Sequence, residues 1–198
     1  MCDNSVNLSD QLNQLICVLQ KSRELLSLII ETGKLIERTI KSGNKVLTLG
    51  NGGSAADALH LAEELVGHYA KERPSWPAVC LASDPTLITC IANDYGFEKV
   101  FSRQIEGIGK PQDILIVFTT SGNSPNVIQA LKTARKLGIN TIALLGKDGG
   151  VSKSISDYQI IVPSNETARI QEVHTFILHC WMSQLEGGVK IETENFLC

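Results

Sequence analysis

Between Leu8 and Ser42, apolar residues recur at helical spacing: Leu12, Leu15, Ile16 and Leu19, then Leu25, Leu26, Ile29, Ile30, Leu35, Ile36 and Ile40. Polar residues fill the remaining faces. The pattern predicts two helices, or one bent helix. No strand precedes them, so this long apolar face has little local core to cover. It is expected to cover a partner subunit. After Lys45 the pattern changes. Five short runs, Val46–Leu49, Ala78–Ala82, Ile114–Phe118, Thr141–Leu145 and Gln159–Val162, are apolar with little alternation. Strands buried on both faces read this way. Helical patterns separate them: Ser54–His68, Pro85–Asn93 continuing into Glu98–Gly107, and Pro125–Leu137. A long final helix runs from Ala168 to Leu185.

This strand–helix alternation predicts an α/β fold: a three-layer, doubly wound, five-stranded parallel sheet in the flavodoxin-like order 2-1-3-4-5. An N-terminal helical extension over residues 1–44, expected to serve oligomerisation, forms a single globular unit with the domain over residues 45–186. Residues 187–198 form a C-terminal tail, a frayed or surface end. Ligands of such sheets bind where the strand order reverses, at the carboxyl ends of the first and third strands. The loops leaving those strands are Gly50–Ser54 and Thr119–Ser124. Both are small and rich in hydroxyls, and both open a helix.

Composition narrows the function classes. The 198 residues suit one domain with a real core. A net charge of −3 without a basic run argues against nucleic acid as the main partner. The N-terminus has neither the basic nor the apolar region of a signal peptide. No apolar run reaches the ~20 residues of a membrane span. Six scattered cysteines without a CxxC pair read as reduced thiols of a cytoplasmic protein.

Five features are candidates for chemistry. In TTSGNSPNVIQAL, capping accounts for Ser124 and Pro125, but not for Thr119, Thr120 and Ser121 as well. Hydroxyls around a helix N-terminus, with no cation, make a neutral cradle for a phosphate monoester. No GK[ST] follows, so no Walker loop and no ATP are implied. GNGGSA, residues 50–55, formally fits a dinucleotide fingerprint. The acidic partner it needs comes some ten residues late, at Asp84, so no nucleotide cofactor is expected. His60 and Glu64, four residues apart, share one face of the following helix; Glu63 points away. His179, within the apolar run FILHCWM, is either a satisfied core residue or a functional group. Asn93 and Asp94 end a helical pattern, which helix termination alone explains.

GNGGSAADALHLAEEL, IANDYGFEKVFSRQIEGIG, TTSGNSPNVIQAL, LLGKDGG and ARIQEVH…H, in this order and spacing from Val46 to Leu185, closely resemble the phosphoheptose isomerase family of the sugar-isomerase (SIS) fold. The resemblance implies a homotetramer assembled partly through the N-terminal helices. It implies interconversion of D-sedoheptulose 7-phosphate and D-glycero-D-manno-heptose 7-phosphate, the first step toward the heptose of bacterial surface polysaccharides. It places the catalytic pair on Glu64 and His179. Sugar and phosphate contacts fall on Asn51, Gly52, Gly53, Ser54, Glu64, Asn93, Asp94, Thr119, Thr120, Ser121, Ser124 and Gln171. Zinc ligands fall on His60, Glu64, Gln171 and His179. Some members have arginine where this chain has His68, and serine where it has Thr119.

An isomerase of this kind moves a proton between neighbouring carbons through a cis-enediol, with Glu64 as base and His179 handling the second transfer. Gln171 and His179 are about 12 Å apart along a straight helix at ~1.5 Å per residue. At least one ligand of each site is therefore expected from a neighbouring chain. The competing class is a non-catalytic SIS-fold protein, a sugar-phosphate sensor or a replication-initiator-associating scaffold. Retention of Glu64 and His179 argues against it.

Overall fold

The computed structural model describes residues 7–187. Asn7 caps α1 (Leu8–Lys21), its side-chain oxygen accepting from the Ser9 N–H. A 3-10 turn at Ser22–Leu25 joins α1 to α2 (Leu26–Lys41). The arm is thus two helices, and their burial differs. Ile29 and Ile36 of α2 are buried in a cluster that includes Trp181. The Trp181 indole N–H donates to the Ile29 carbonyl at 3.0 Å, and the Gln184 amide to that of Ile30 at 3.1 Å. The expectation of little local core is therefore corrected for α2. It holds for the N-terminal part of α1, where Leu8, Leu12 and Ile16 are exposed, whereas Val18 and Leu19 join the core.

Strands β1 (Val46–Gly50), β2 (Ala78–Cys80), β3 (Ile114–Thr119), β4 (Asn140–Leu145) and β5 (Tyr158–Ile161) form one sheet in the order β2-β1-β3-β4-β5. Every neighbouring pair is parallel. Side chains alternate between the two faces. Val46, Ile114, Ile116, Phe118, Ile142 and Leu144 pack with α2, α3 (Gly53–Val66) and α8 (Thr167–Gly187). Leu47, Leu49, Leu115, Val117, Ala143 and Leu145 pack with α4 (Pro85–Tyr95), α5 (Ser102–Ile108) and α6 (Pro125–Lys136). With both faces covered the strands carry no polar stripe, which is why they read as apolar runs.

Asp84 caps α4, accepting from the Thr86 and Leu87 N–H groups. Gly96 stops that helix at φ +89°, a conformation open to glycine. A short helix, α7 (Ser152–Ile155), was not predicted. Cys17, Cys80, Cys90 and Cys180 are free thiols; Cys2, Cys198 and the tail beyond Gly187 lie outside the described residues. Among the described residues, no helix is long and apolar enough to cross a membrane.

Candidate active site

Register sets the first half of the site. Gly50 pairs with Phe118, so β1 and β3 end side by side and their loops meet where the strand order reverses. The loops are tied by a reciprocal amide pair. Asn51 Nδ2 donates to Asn126 Oδ1 at 2.9 Å, and Asn126 Nδ2 to Asn51 Oδ1 at 2.8 Å. Between them lies a cavity of about 260 Å³ lined by Asn51, Gly53, Ser54, Thr119, Thr120, Ser121, Ser124 and Gln171, with Phe118 and Thr167. Among the described residues, its lining holds no lysine, arginine or carboxylate.

Two helix N-termini open into it, those of α3 and α6. Gly52 precedes α3 at φ +57°, and a Cβ on Gly53 would meet Gln171 Nε2 at 2.5 Å. Glycine here lets the backbone approach the cavity closely. Ser124 stands at the N-cap of α6, yet its hydroxyl makes no capping bond. Thr119 Oγ1 accepts from the Gly122 N–H at 3.2 Å and Ser121 Oγ from the Asn123 N–H at 3.3 Å. Each hydroxyl keeps its own O–H for another acceptor. Free N–H groups, helix dipoles and hydroxyl donors without a cation suit an anion.

Helices α3 and α8 carry the second half. Gly53 lies against Gln171, and Thr175 donates to Asp57 Oδ1 at 3.1 Å. Further along, the rings of His60 and His179 meet edge to face, 5.0 Å between centroids. His60 Nε2 and Glu64 Oε1 are 3.2 Å apart. One ligand atom each from His60, Glu64 and His179 lies within 4.8 Å of the others. Glu64 is turned inward and Glu63 is exposed, as the helix period requires. His179 is half-buried rather than a core residue. The core histidine is His174, fully buried, its Nε2 3.2 Å from the Leu145 carbonyl. Burial lowers its pKa to about 4, against a smaller opposing effect of that hydrogen bond.

Gln171 lines the cavity, one end of the α3–α8 pair, while His179 is at the other. Asn93 and Asp94 are not brought to either half within this chain. They are exposed on the last turn of α4, bonded to each other at 2.8 Å, and Asp94 lines a separate groove with Cys90, Tyr95 and Arg103. His68 is exposed in the segment after α3.

The structure adds residues that sequence reading missed. Asp57 is buried between the two halves with Oδ2 unpartnered. Burial raises its pKa, opposed by the Thr175 hydroxyl and by His60; its place on the His60 face of α3 was the available signal. Tyr69 stacks on His179 at 5.5 Å and 28°, and Asn126 fixes Asn51. Neither contact has a signature in local spacing. The GKDGG turn also supports the cradle: the Ser152 N–H donates to the Gly122 carbonyl at 2.9 Å, and the Val151 N–H to Asn123 Oδ1 at 2.9 Å.

Comparison with known proteins identifies the family. The SIS domain family profile matches residues 11–146. A phosphoheptose isomerase of Trichlorobacter lovleyi is 47% identical over 183 residues, 92% of this chain and 93% of that protein. The chain belongs to the phosphoheptose isomerase family. Membership places it among isomerase enzymes. A further family member, from Aquifex aeolicus, is 52% identical over 81% of this chain and 84% of its own length. Among solved structures, the phosphoheptose isomerase of Neisseria gonorrhoeae superposes with a TM-score of 0.86 at 36% identity, covering 90% of this chain and 96% of that one. That of Francisella tularensis gives 0.87 at 34%, covering 91% and 99%.

Proposed function

We propose that this chain interconverts D-sedoheptulose 7-phosphate and D-glycero-D-manno-heptose 7-phosphate, in the cytoplasm, as the first step toward the heptose of bacterial surface polysaccharides. One observation carries the reading: α3 and α8 join a neutral phosphate cradle at one end to His60, Glu64 and His179 at the other. Eight residues of α8 separate Gln171 from His179, about 12 Å at ~1.5 Å per residue. An extended sugar phosphate of several carbons spans such a gap. The cradle holds the phosphate through Gly52, Gly53, Ser54, Thr119, Thr120, Ser121 and Ser124, and so fixes the reacting carbons far from it.

Glu64 takes the proton from C1 of the ketose. The cis-enediol that results is reprotonated at C2, and His179 moves the proton between the two oxygens. Asn51 and Gln171 bind the polyol. The donor set of His60, Glu64 and His179 fits a zinc ion, since their ligand atoms lie within 4.8 Å of one another and zinc bonds are ~2 Å long. Zinc bound there, with a fourth ligand such as Gln171 supplied by a neighbouring subunit, would act as a Lewis acid on the sugar carbonyl. The exposed stripe Leu8, Leu12 and Ile16 on α1 favours assembly into a homotetramer. Asn93 and Asp94, remote from the cradle of their own chain, then serve the site of a neighbouring subunit.

Purified protein should turn over sedoheptulose 7-phosphate, carry about one zinc per chain, and lose most turnover to a chelator. Bound substrate without turnover would overturn the isomerase reading.

A further inference from the structure

The segment between α3 and β2 is held by an unusually well-satisfied carboxylate on another helix. Glu186, on the last turn of α8, accepts four N–H groups. Oε1 takes those of Tyr69 (2.9 Å) and Arg73 Nε (3.0 Å). Oε2 takes those of Ala70 (2.8 Å) and Lys71 (2.9 Å). The Glu186 side chain is 3% exposed and that of Arg73 is 9%. Burial alone would raise the Glu186 pKa, but these donors hold it down to about 2. Arg73 continues the chain of contacts. Its guanidinium lies 3.5 Å over the Trp76 ring and donates to the carbonyls of Glu64 (2.6 Å) and Leu65 (3.0 Å). Those carbonyls are among the last of α3 and have no helical partner.

Both ends of this clamp land on the acid/base residues. Arg73 caps α3 at the backbone of Glu64. Tyr69, its N–H held by Glu186, lays its ring against His179. A segment that only had to connect α3 to β2 would need neither contact. We propose that Glu186, Arg73 and Tyr69 form a positioning clamp, in which Tyr69 is the plate that sets the ring orientation of His179. None of the three is assigned a contact with substrate. The catalytic part of this inference rests on the reading of Glu64 and His179 as the acid/base pair; the structural part does not. Groups that orient a reacting or ligating side chain typically contribute about 10–100-fold to activity.

The test uses the full chain and the variants Tyr69→Ala, Tyr69→Phe and Glu186→Gln. The ring-proton resonance of His179, one of four histidines, reports the Tyr69 stack through its ring current, whether or not the protein turns over substrate. Tyr69→Ala and Glu186→Gln should shift that resonance in the same direction. Both should lower kcat about 10–100-fold with little change in KM, and Tyr69→Phe should restore both. An unmoved resonance in Tyr69→Ala would overturn the clamp, as would a Tyr69→Phe variant no better than Tyr69→Ala. If Glu186→Gln fails to fold, the Tyr69 pair still decides, because it leaves the bonds from backbone to Glu186 intact. A shifted resonance in a chain whose wild type is inactive would sink the isomerase reading while upholding the clamp.

Discussion

Gly53 and Gln171 show how closely single residues are matched at this site. A methyl group on Gly53 would meet only the far end of the Gln171 side chain, which can swing away. Gly53→Ala should therefore fold normally while emptying one wall of the cradle. KM for the sugar phosphate should rise about tenfold, near 1.4 kcal/mol, at an unchanged melting temperature. Gly50→Ala is the contrast: its methyl would lie 2.2 Å from the Ser54 backbone carbonyl, and the loop itself would have to move. Protonation of two residues costs the fold stability as pH falls. His174 has a folded pKa of about 4, below its ordinary 6.5. The unfolded chain therefore binds the proton first, and stability falls as pH drops from 6.5 toward 4. Glu186, held near 2 against an ordinary 4.5, contributes stability above pH 4.5 that is lost as pH falls toward 2. Urea unfolding across this range should show both losses, and His174→Phe should flatten only the upper one. The hydroxyls of the cradle were legible because they cluster in one loop. Tyr69 was not, because its partners Glu186 and His179 lie more than a hundred positions away, on α8; Asp57 offered only its place on the His60 face of α3.

Elements explain where the boundaries fell. Strands β1 and β3 announced themselves because both faces are covered. The second apolar run extends over Ala78–Ala82 but pairs as a strand only over Ala78–Cys80, since a turn at Leu81 and Ala82 carries the chain toward Asp84. The pattern from Pro85 to Gly107 splits into α4 and α5 because Gly96 adopts a positive φ. Four-residue α7 is too short to show a period. In the N-terminal arm, sequence alone could not tell which helix has a core of its own. Trp181 and Gln184 of α8 settle that for α2 by bonding to its backbone, and α1 keeps an uncovered stripe. Leu12→Glu should accordingly dissociate the proposed homotetramer in analytical ultracentrifugation and leave circular dichroism unchanged. A tetramer that survives this change would remove α1 from the assembly.

For the whole molecule, strand order followed from the alternation of strands and helices, and the cradle from the reversal of that order between β1 and β3. What the alternation could not show is that α3 and α8 lie side by side. That pairing joins two motifs in the proposed site, separating the proposed anchor from the proposed chemistry by much of a helix. The most direct measurement is steady-state kinetics of Glu64→Gln beside Ser124→Ala, with sedoheptulose 7-phosphate as substrate. The account predicts that Glu64→Gln loses about 10²–10⁴-fold in kcat and still binds substrate, whereas Ser124→Ala raises KM and largely keeps kcat. A Glu64→Gln variant with wild-type kcat would contradict it.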